Sequence, residues 1–179
     1  MNIERERKFL VIKEKLPEVI SVMVRQGEGH VIQAGYFTQQ GTAVRITVKN
    51  HDRPGIKPVY KVGFKSPGTI ERQEFEYNVP PEDALALLDH CPTYLKKERY
   101  EYDGWELDCI HINIAILGGK QVVHDLWIAE WEEEPGKRKM PNPLPAWIER
   151  EVTEDFSFTN QHLAWQFGQK RAPENRDSR

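Results

Sequence analysis

The stretch Ile3-Glu4-Arg5-Glu6-Arg7-Lys8-Phe9-Leu10-Val11 decides how the rest of the chain is read. As a strand, its side chains alternate between two faces, with same-face neighbours about 6.6–6.8 Å apart. Glu4, Glu6 and Lys8 then share one face, and Arg5, Arg7 and Phe9 the other. Two carboxylates followed by an ammonium suit a solvated edge strand. They equally suit the wall of a site for a metal ion and an anion. One run leaves both readings open; repetition in later strands separates them.

Composition narrows the classes. Of 179 residues 30% are charged, yet the net charge is only -3, so acids and bases are abundant but balanced. A general binder of nucleic-acid polymers needs a basic excess for its phosphate contacts, which is absent here. The length suits one domain with a proper core, read as residues 1–170, followed by a disordered tail over 171–179. Cys91 and Cys109 are too few for a disulfide framework. The start of the chain has no apolar signal segment, and no run approaches the roughly 20 apolar residues of a membrane span. A cytoplasmic protein with no membrane partner is expected, as a monomer or homodimer.

Along the chain, Leu16, Val19, Ile20 and Met23 fall at helical spacing between Lys13 and Gly29. Strands follow at Val31 to Thr38 and at Ala43 to Lys49, where Val44, Ile46 and Val48 oppose Arg45, Thr47 and Lys49. Tyr60 to Lys65 sets Lys61, Gly63 and Lys65 on one face, and Glu71 to Val79 sets Arg72, Glu74 and Glu76 on one face. After Pro80-Pro81 a helix fits Glu82 to His90. Leu95 to Tyr102 aligns Lys97, Arg99 and Glu101, and beyond Asp103-Gly104 the next strand opposes Trp105, Leu107 and Cys109 to Glu106, Asp108 and Ile110. His111 to Val123 has no clear pattern, with a turn expected at Gly118-Gly119-Lys120. Leu126 to Glu133 resumes the alternation, with Glu130 and Glu132 opposite Trp127, Ala129 and Trp131. A loop over 134–145 then leads to a short helix at Ala146 to Arg150 and a second helix at Asn160 to Gln169. His111, His124 and His162 show no zinc-ligand spacing.

Six or more strands thus carry acids and bases together on one face. Open water does not require that density. A closed barrel, with its apolar faces outward beneath helices and its charged faces inward, would use it and would also remove sheet edges. Buried charges survive only when paired, hydrated or neutralised by a ligand. The expected fold is therefore α+β, a closed antiparallel eight-stranded β-barrel, or tunnel, with a charged lumen and flanking helices.

Glu4-Arg5-Glu6-Arg7-Lys8 matches the ExExK motif of the CYTH superfamily, the triphosphate tunnel metalloenzymes. The resemblance covers most of residues 3–164. Gly35-Tyr36-Phe37 resembles that family's second-strand signature and Ala43-Val44-Arg45-Ile46 its first basic strand. Gly63-Phe64-Lys65 stands where members commonly carry Thr-Ile-Lys. Glu71-Arg72-Gln73-Glu74-Phe75-Glu76-Tyr77 is similar to the Arg-x-Glu-x-Glu strand, and Lys97-Glu98-Arg99-Tyr100 to Lys-x-Arg-Tyr. Ile128-Ala129-Glu130-Trp131-Glu132 resembles the late acidic strand, and Glu151-Val152-Thr153 with Asn160 and Leu163-Ala164 the C-terminal signature.

The resemblance implies a metal-dependent triphosphatase of the bacterial tripolyphosphatase kind, acting on a small-molecule triphosphate with Mg2+ or Mn2+. It implies Glu4, Glu6, Lys8 and Lys97 as catalytic residues. Lys8, Arg45, Lys65, Arg72, Lys97 and Arg99 would bind phosphate, and Glu4, Glu6, Glu130, Glu132 and Asp108 would hold metal. Hard oxygen donors suit such an ion, and arginines suit phosphate oxygens. Asp108, Glu74 and Glu76 also fit a role as salt-bridge partners within the lumen. The alternatives are a thiamine or nucleoside triphosphatase, a class IV adenylyl cyclase, and a non-catalytic polyphosphate- or nucleotide-binding module. Two departures bear on them. Asp155 is followed by Phe156-Ser157-Phe158 where members continue to an Arg-Tyr pair, and Thr47 stands where a second arginine is common.

Overall fold

The computed structural model describes residues 3–115, 121–133, 136 and 138–170, with 113–115, 121–123, 169 and 170 described as backbone only. The expected turn at Gly118-Gly119-Lys120, part of the 134–145 loop and the expected tail over 171–179 lie outside the described residues. Eight strands form the wall: β1 (Ile3–Val11), β2 (His30–Tyr36), β3 (Ala43–Lys49), β4 (Val59–Lys65), β5 (Glu71–Asn78), β6 (Thr93–Tyr102), β7 (Trp105–Ala115) and β8 (Gln121–Glu132). They pair in the order β6-β2-β3-β4-β5-β1-β8-β7, and β7 pairs back onto β6, so the sheet closes on itself. All eight junctions are antiparallel. The fold is α+β, a closed eight-stranded antiparallel barrel with three flanking helices.

The alternation read in β1, β3, β5 and β8 now has a physical cause. The main core lies outside the barrel, between wall and helices. Helix α1 (Glu18–Gln26) lays Ile20 and Met23 on Phe9, Tyr100, Trp105, Leu107, Trp127 and Trp131. Trp105 meets Trp131 and Trp147 edge-on at ring-centre distances of 4.9 and 5.3 Å. Each large side chain removed from water in this way contributes about 1.5–3 kcal/mol before chain entropy is counted. Gly27 ends α1 in the left-handed conformation (φ 64°), and its N–H caps the carbonyls of Met23 and Val24. Helix α2 (Pro81–His90) opens on a proline and packs Ala84 and Leu88 on Ile46 and Val48 of β3. Gly35 permits that approach, since a Cβ there would lie 2.6 Å from the Cys91 sulfur. Both cysteines are buried, and neither forms a disulfide.

Helix α3 (Asn160–Phe167), capped by the Thr159 hydroxyl on the His162 N–H, does something different. Its Leu163 and Ala164 pack on inward-facing Ala34, Tyr36, Leu95, Ile110 and Ile128. The interior is therefore apolar beside α3 and charged beyond it.

Two expectations need correction. The segment expected to be a short helix at Ala146 to Arg150 is instead β9 (Ile148–Glu151), which pairs with Phe9, Leu10 and Val11 of β1. Four residues cannot hold a helix on propensity alone, whereas the edge of β1 beyond its contact with β5 supplies ready partners. Similarly, His111 to Val123 has no clear pattern because it holds the long arms of the β7–β8 hairpin, paired from Glu106↔Glu130 to Ala115↔Gln121. Ile110 and Ile112 face the α3 plug, so apolar residues occupy the inner face there as well. A two-residue strand, β10 (Gln169–Lys170), pairs the end of β6.

The β1–β5 junction is short. Among the described residues, Ile3↔Gln73, Glu4↔Arg72 and Arg5↔Glu71 are in register, supplemented by the Glu6 N–H donating to the Ile70 carbonyl at 3.0 Å. Farther along the same edge of β1, β9 takes over.

Candidate functional site in the lumen

Inward-facing positions of the strands line a cavity of about 590 Å³. Glu4, Glu6, Lys8, Arg45, Lys65, Arg72, Lys97, Arg99, Glu130 and Glu132 all stand on its wall, so the structure brings together all but one of the site residues read from sequence. The exception is Asp108, which lies on the inner face of β7 but is fully buried, with its oxygens taken by Lys97 and Arg99. Glu74 and Glu76, read as luminal partners of the bases, also line it, as do Tyr36, Lys49, Lys61 and Glu106, to which the reading gave no site role. Their inward parity was the available signal for the charged ones. Tyr36 had none, because an aromatic on β2 reads as core.

The charges are interleaved. Lys8 lies between Glu6, at 2.5 Å, and Glu130, and burial, which would lower its pKa, is outweighed by these two carboxylates so that the pKa rises. Arg99 forks onto Asp108 at 2.7 Å through both Nε and Nη2, and also reaches Glu130 at 2.6 Å and Glu106. Burial opposes ionisation of Glu130, yet Lys8, Lys97 and Arg99 hold it well below the usual carboxylate range. Lys97, by contrast, is pushed down by burial and by the adjacent Arg99.

On the other side, Lys65 bonds both oxygens of Glu4 at 2.8 and 3.0 Å, and Arg72 bridges Glu4 and Glu6 at 3.3 and 3.1 Å. Burial would raise Glu4, but Lys65 and Arg72 bring it down to about 2. Arg45 donates to Glu74 at 3.0 Å and Glu76 at 2.8 Å, and Lys61 reaches Glu76 at 2.7 Å. Glu74 behaves oppositely to Glu4: burial, with Glu4 beside it, pushes it up. Glu106 rises for the same first reason, with Glu130 and Asp108 adding to it. Arg45 Nε and the Thr47 hydroxyl are buried without a hydrogen-bond partner among the described residues. Both belong to residues on the cavity wall, and such atoms call for a partner that the cavity can admit.

The donor chemistry suits a hard divalent cation. Glu6 and Glu132 stand directly opposite each other across β1 and β8, as do Glu106 and Glu130 across β7 and β8. Like charges at directly opposed sheet positions are destabilising unless a cation lies between them. Among the described residues, however, no three luminal carboxylates converge within 4.8 Å of one another. Holding an ion would require carboxylates to turn from their lysine and arginine partners.

No family model matches the chain, and no curated protein matches it. Several solved chains are similar to it. One is of the hypothetical protein NE1496, 23% identical, covering 92% of this chain and 99% of that one with a TM-score of 0.49. Another is of the inorganic triphosphatase NE1496, 22% identical, covering 90% and 93% with a TM-score of 0.46. The chain's own strand order, closed through eight antiparallel junctions with the charged face inward, is the tunnel-type barrel that the CYTH resemblance implies.

Proposed function

We propose that the protein hydrolyses a triphosphate compound with the help of Mg2+ or Mn2+, and that inorganic tripolyphosphate is the first substrate to test. The observation that carries this reading is the balance of the wall: eight lysines and arginines and seven glutamates enclose one cavity. A net excess of one positive charge cannot offset a triphosphate alone. A triphosphate together with a divalent cation can be accommodated, because the bases take phosphate oxygens while freed glutamates take the ion.

Glu4, Glu6, Glu130 and Glu132 would hold the metal, with buried Asp108 orienting Lys97 and Arg99. When bound, the ion supplies Lewis-acid polarisation of the phosphoryl group and a more acidic water. The remaining work belongs to side chains. Arg45, Lys65 and Arg72 exchange glutamate oxygens for phosphate oxygens on one wall, and Lys8, Lys97 and Arg99 do so on the other. They fix the chain of phosphates in line and offset the charge of phosphoryl transfer. Glu74, on the cavity wall beside Lys65 and Arg45, is the carboxylate that would accept the proton of the attacking water once those bases turn to phosphate.

The saturation of the luminal carboxylates by bases favours one other reading, a module that binds polyphosphate or nucleotide without turning it over. Phosphate release from tripolyphosphate, ATP and thiamine triphosphate, with Mg2+ or Mn2+ and then with chelator, separates the two. Release that stops on chelation supports hydrolysis, and binding without release supports the module. Cyclic nucleotide with pyrophosphate from ATP would assign a cyclase instead. Glu4→Gln and Glu6→Gln should each cut metal-dependent turnover by about 10²–10³ with the fold retained by circular dichroism. Near-normal rates in both would remove the metal assignment.

A further inference from the structure

A second cluster of reactive side chains lies on the outer face of the barrel. Cys109 and His111, two apart on β7, share that face. Asp125 of β8 stands opposite His111 in register, and Glu98 of β6 stands opposite Cys109. The donor atoms of Cys109, His111 and Asp125 all lie within 4.8 Å of one another. His111 Nδ1 is 3.0 Å from Asp125 Oδ1, and its Nε2 is 3.8 Å from Glu98 Oε1. The Tyr100 hydroxyl donates to the other Glu98 oxygen at 2.6 Å and so fixes that carboxylate.

We propose that Cys109, His111 and Asp125 form a second metal site, outside the lumen, for a borderline-soft divalent cation of which zinc is the best chemical match. A thiolate, an imidazole and a carboxylate make a donor set that favours zinc over the hard ions suited to an all-oxygen lumen. Zinc bonds of about 2.0–2.3 Å in a tetrahedron place donors about 3.3–3.6 Å apart, so side-chain adjustments of about 1 Å gather these three. Three protein ligands leave the fourth position to water. The metal takes the Nδ1 side of His111, which now faces Asp125, leaving Nε2 to carry the N–H toward Glu98. A carboxylate behind a ligating histidine is the usual means of fixing its ring. Lys13, exposed and 3.7 Å from Asp125 Oδ2, is the cation that the metal displaces.

The same residues would also spell an Asp–His–Cys nucleophile. That reading fails because the Cys109 thiol is pushed up to about 12 by burial, with Asp125 and Glu98 adding to it, the reverse of an activated thiolate.

The test uses the whole protein in excess Mg2+, which occupies hard oxygen sites, titrated with Co2+ alone. One equivalent should bring up a thiolate-to-cobalt charge-transfer band that one equivalent of Zn2+ bleaches. Cys109→Ser should remove the band and Cys91→Ser should keep it. His111→Ala and Asp125→Asn, at more exposed positions, should each weaken cobalt binding about tenfold or more. If Cys109→Ser unfolds, these two variants decide alone. Absence of the band in the parent protein, or unchanged cobalt affinity in His111→Ala, overturns the site.

Discussion

Two walls of the same lumen hold their charges in contrasting ways. Along β6, β7 and β8, with Lys8 of β1, the ion pairs are sealed: Asp108 is fully buried, and Lys8, Lys97 and Glu130 are at most 7% exposed. Behind them stand the tryptophans and α1. Along β4 and β5 the pairs are wetter, with Glu76 at 25% and Lys61 at 36%. Helix α2 covers Tyr60 and Val62 of β4, but behind β5 and the far end of β4 the outer face is bare, with Phe64, Phe75 and Tyr77 exposed. Charges on a backed wall have lost their water and depend on each other. Charges on the unbacked wall keep some water and can change partners cheaply. The first wall is the stiffer frame, whose pairs give way to a ligand only at greater cost, and the second is the surface that adapts more readily.

The largest effect should come from breaking the frame. Asp108→Asn leaves Lys97 and Arg99 short of a buried partner and should cost about 3–5 kcal/mol by urea unfolding. Glu76→Gln on the other wall should cost no more than about 1 kcal/mol. Equal losses would erase the distinction between the walls.

Next in size is a functional effect. Arg45→Ala, on the adaptable side, removes charge-assisted bonds worth about 1.5–3 kcal/mol each to a bound phosphate, lowering kcat/KM about 10–100-fold. Its unfolding midpoint should move less than that of Asp108→Asn. A larger stability loss than in Asp108→Asn would assign Arg45 to the frame.

The smallest effect is a pH slope. Glu4 is lowered from 4.5 to about 2 in the folded protein, so its contribution is present above pH 4.5 and is lost as pH falls from about 4.5 to about 2. Glu4→Gln should flatten stability across that window. Glu74, raised by burial and by Glu4, has the opposite sign: its contribution is present at lower pH and is lost as pH rises through the raised value. Glu74→Gln should therefore steepen the acid limb, and identical slopes in the two variants would show that these neighbours titrate as one group.

How much of this was legible in the sequence depended on whether a strand faces two different media. In β1, β3, β5 and β8, one face carries apolar side chains and the other meets the cavity, so the alternation was plain and Glu4, Arg45, Arg72 and Glu130 were placed correctly on the wall. Near α3 the inner face turns apolar, and Ile110 and Ile112 hid the continuation of β7. Ile148 to Glu151 was misread because its strand state is imposed by the edge of β1 rather than by its own pattern. The ion-pair partners were also hidden, since which lysine meets which glutamate follows from register. The Cys109, His111 and Asp125 cluster shows the same limit. Cys-x-His at spacing two was visible, but its third member comes from a neighbouring strand.

The short junction between β1 and β5 gives the barrel a clasp. Among the described residues three register pairs hold it by backbone, while Glu4, Glu6, Lys65 and Arg72 cross it by charge. These side chains are the ones proposed to take up phosphate and metal. A ligand that bridges them fastens the clasp, and an empty lumen leaves it to glutamates and bases alone. The amides of Ile3 to Arg5 and Glu71 to Gln73 should then exchange with solvent at a rate set by what the cavity contains. Occupancy and closure become a single equilibrium, and the container is held shut by its contents.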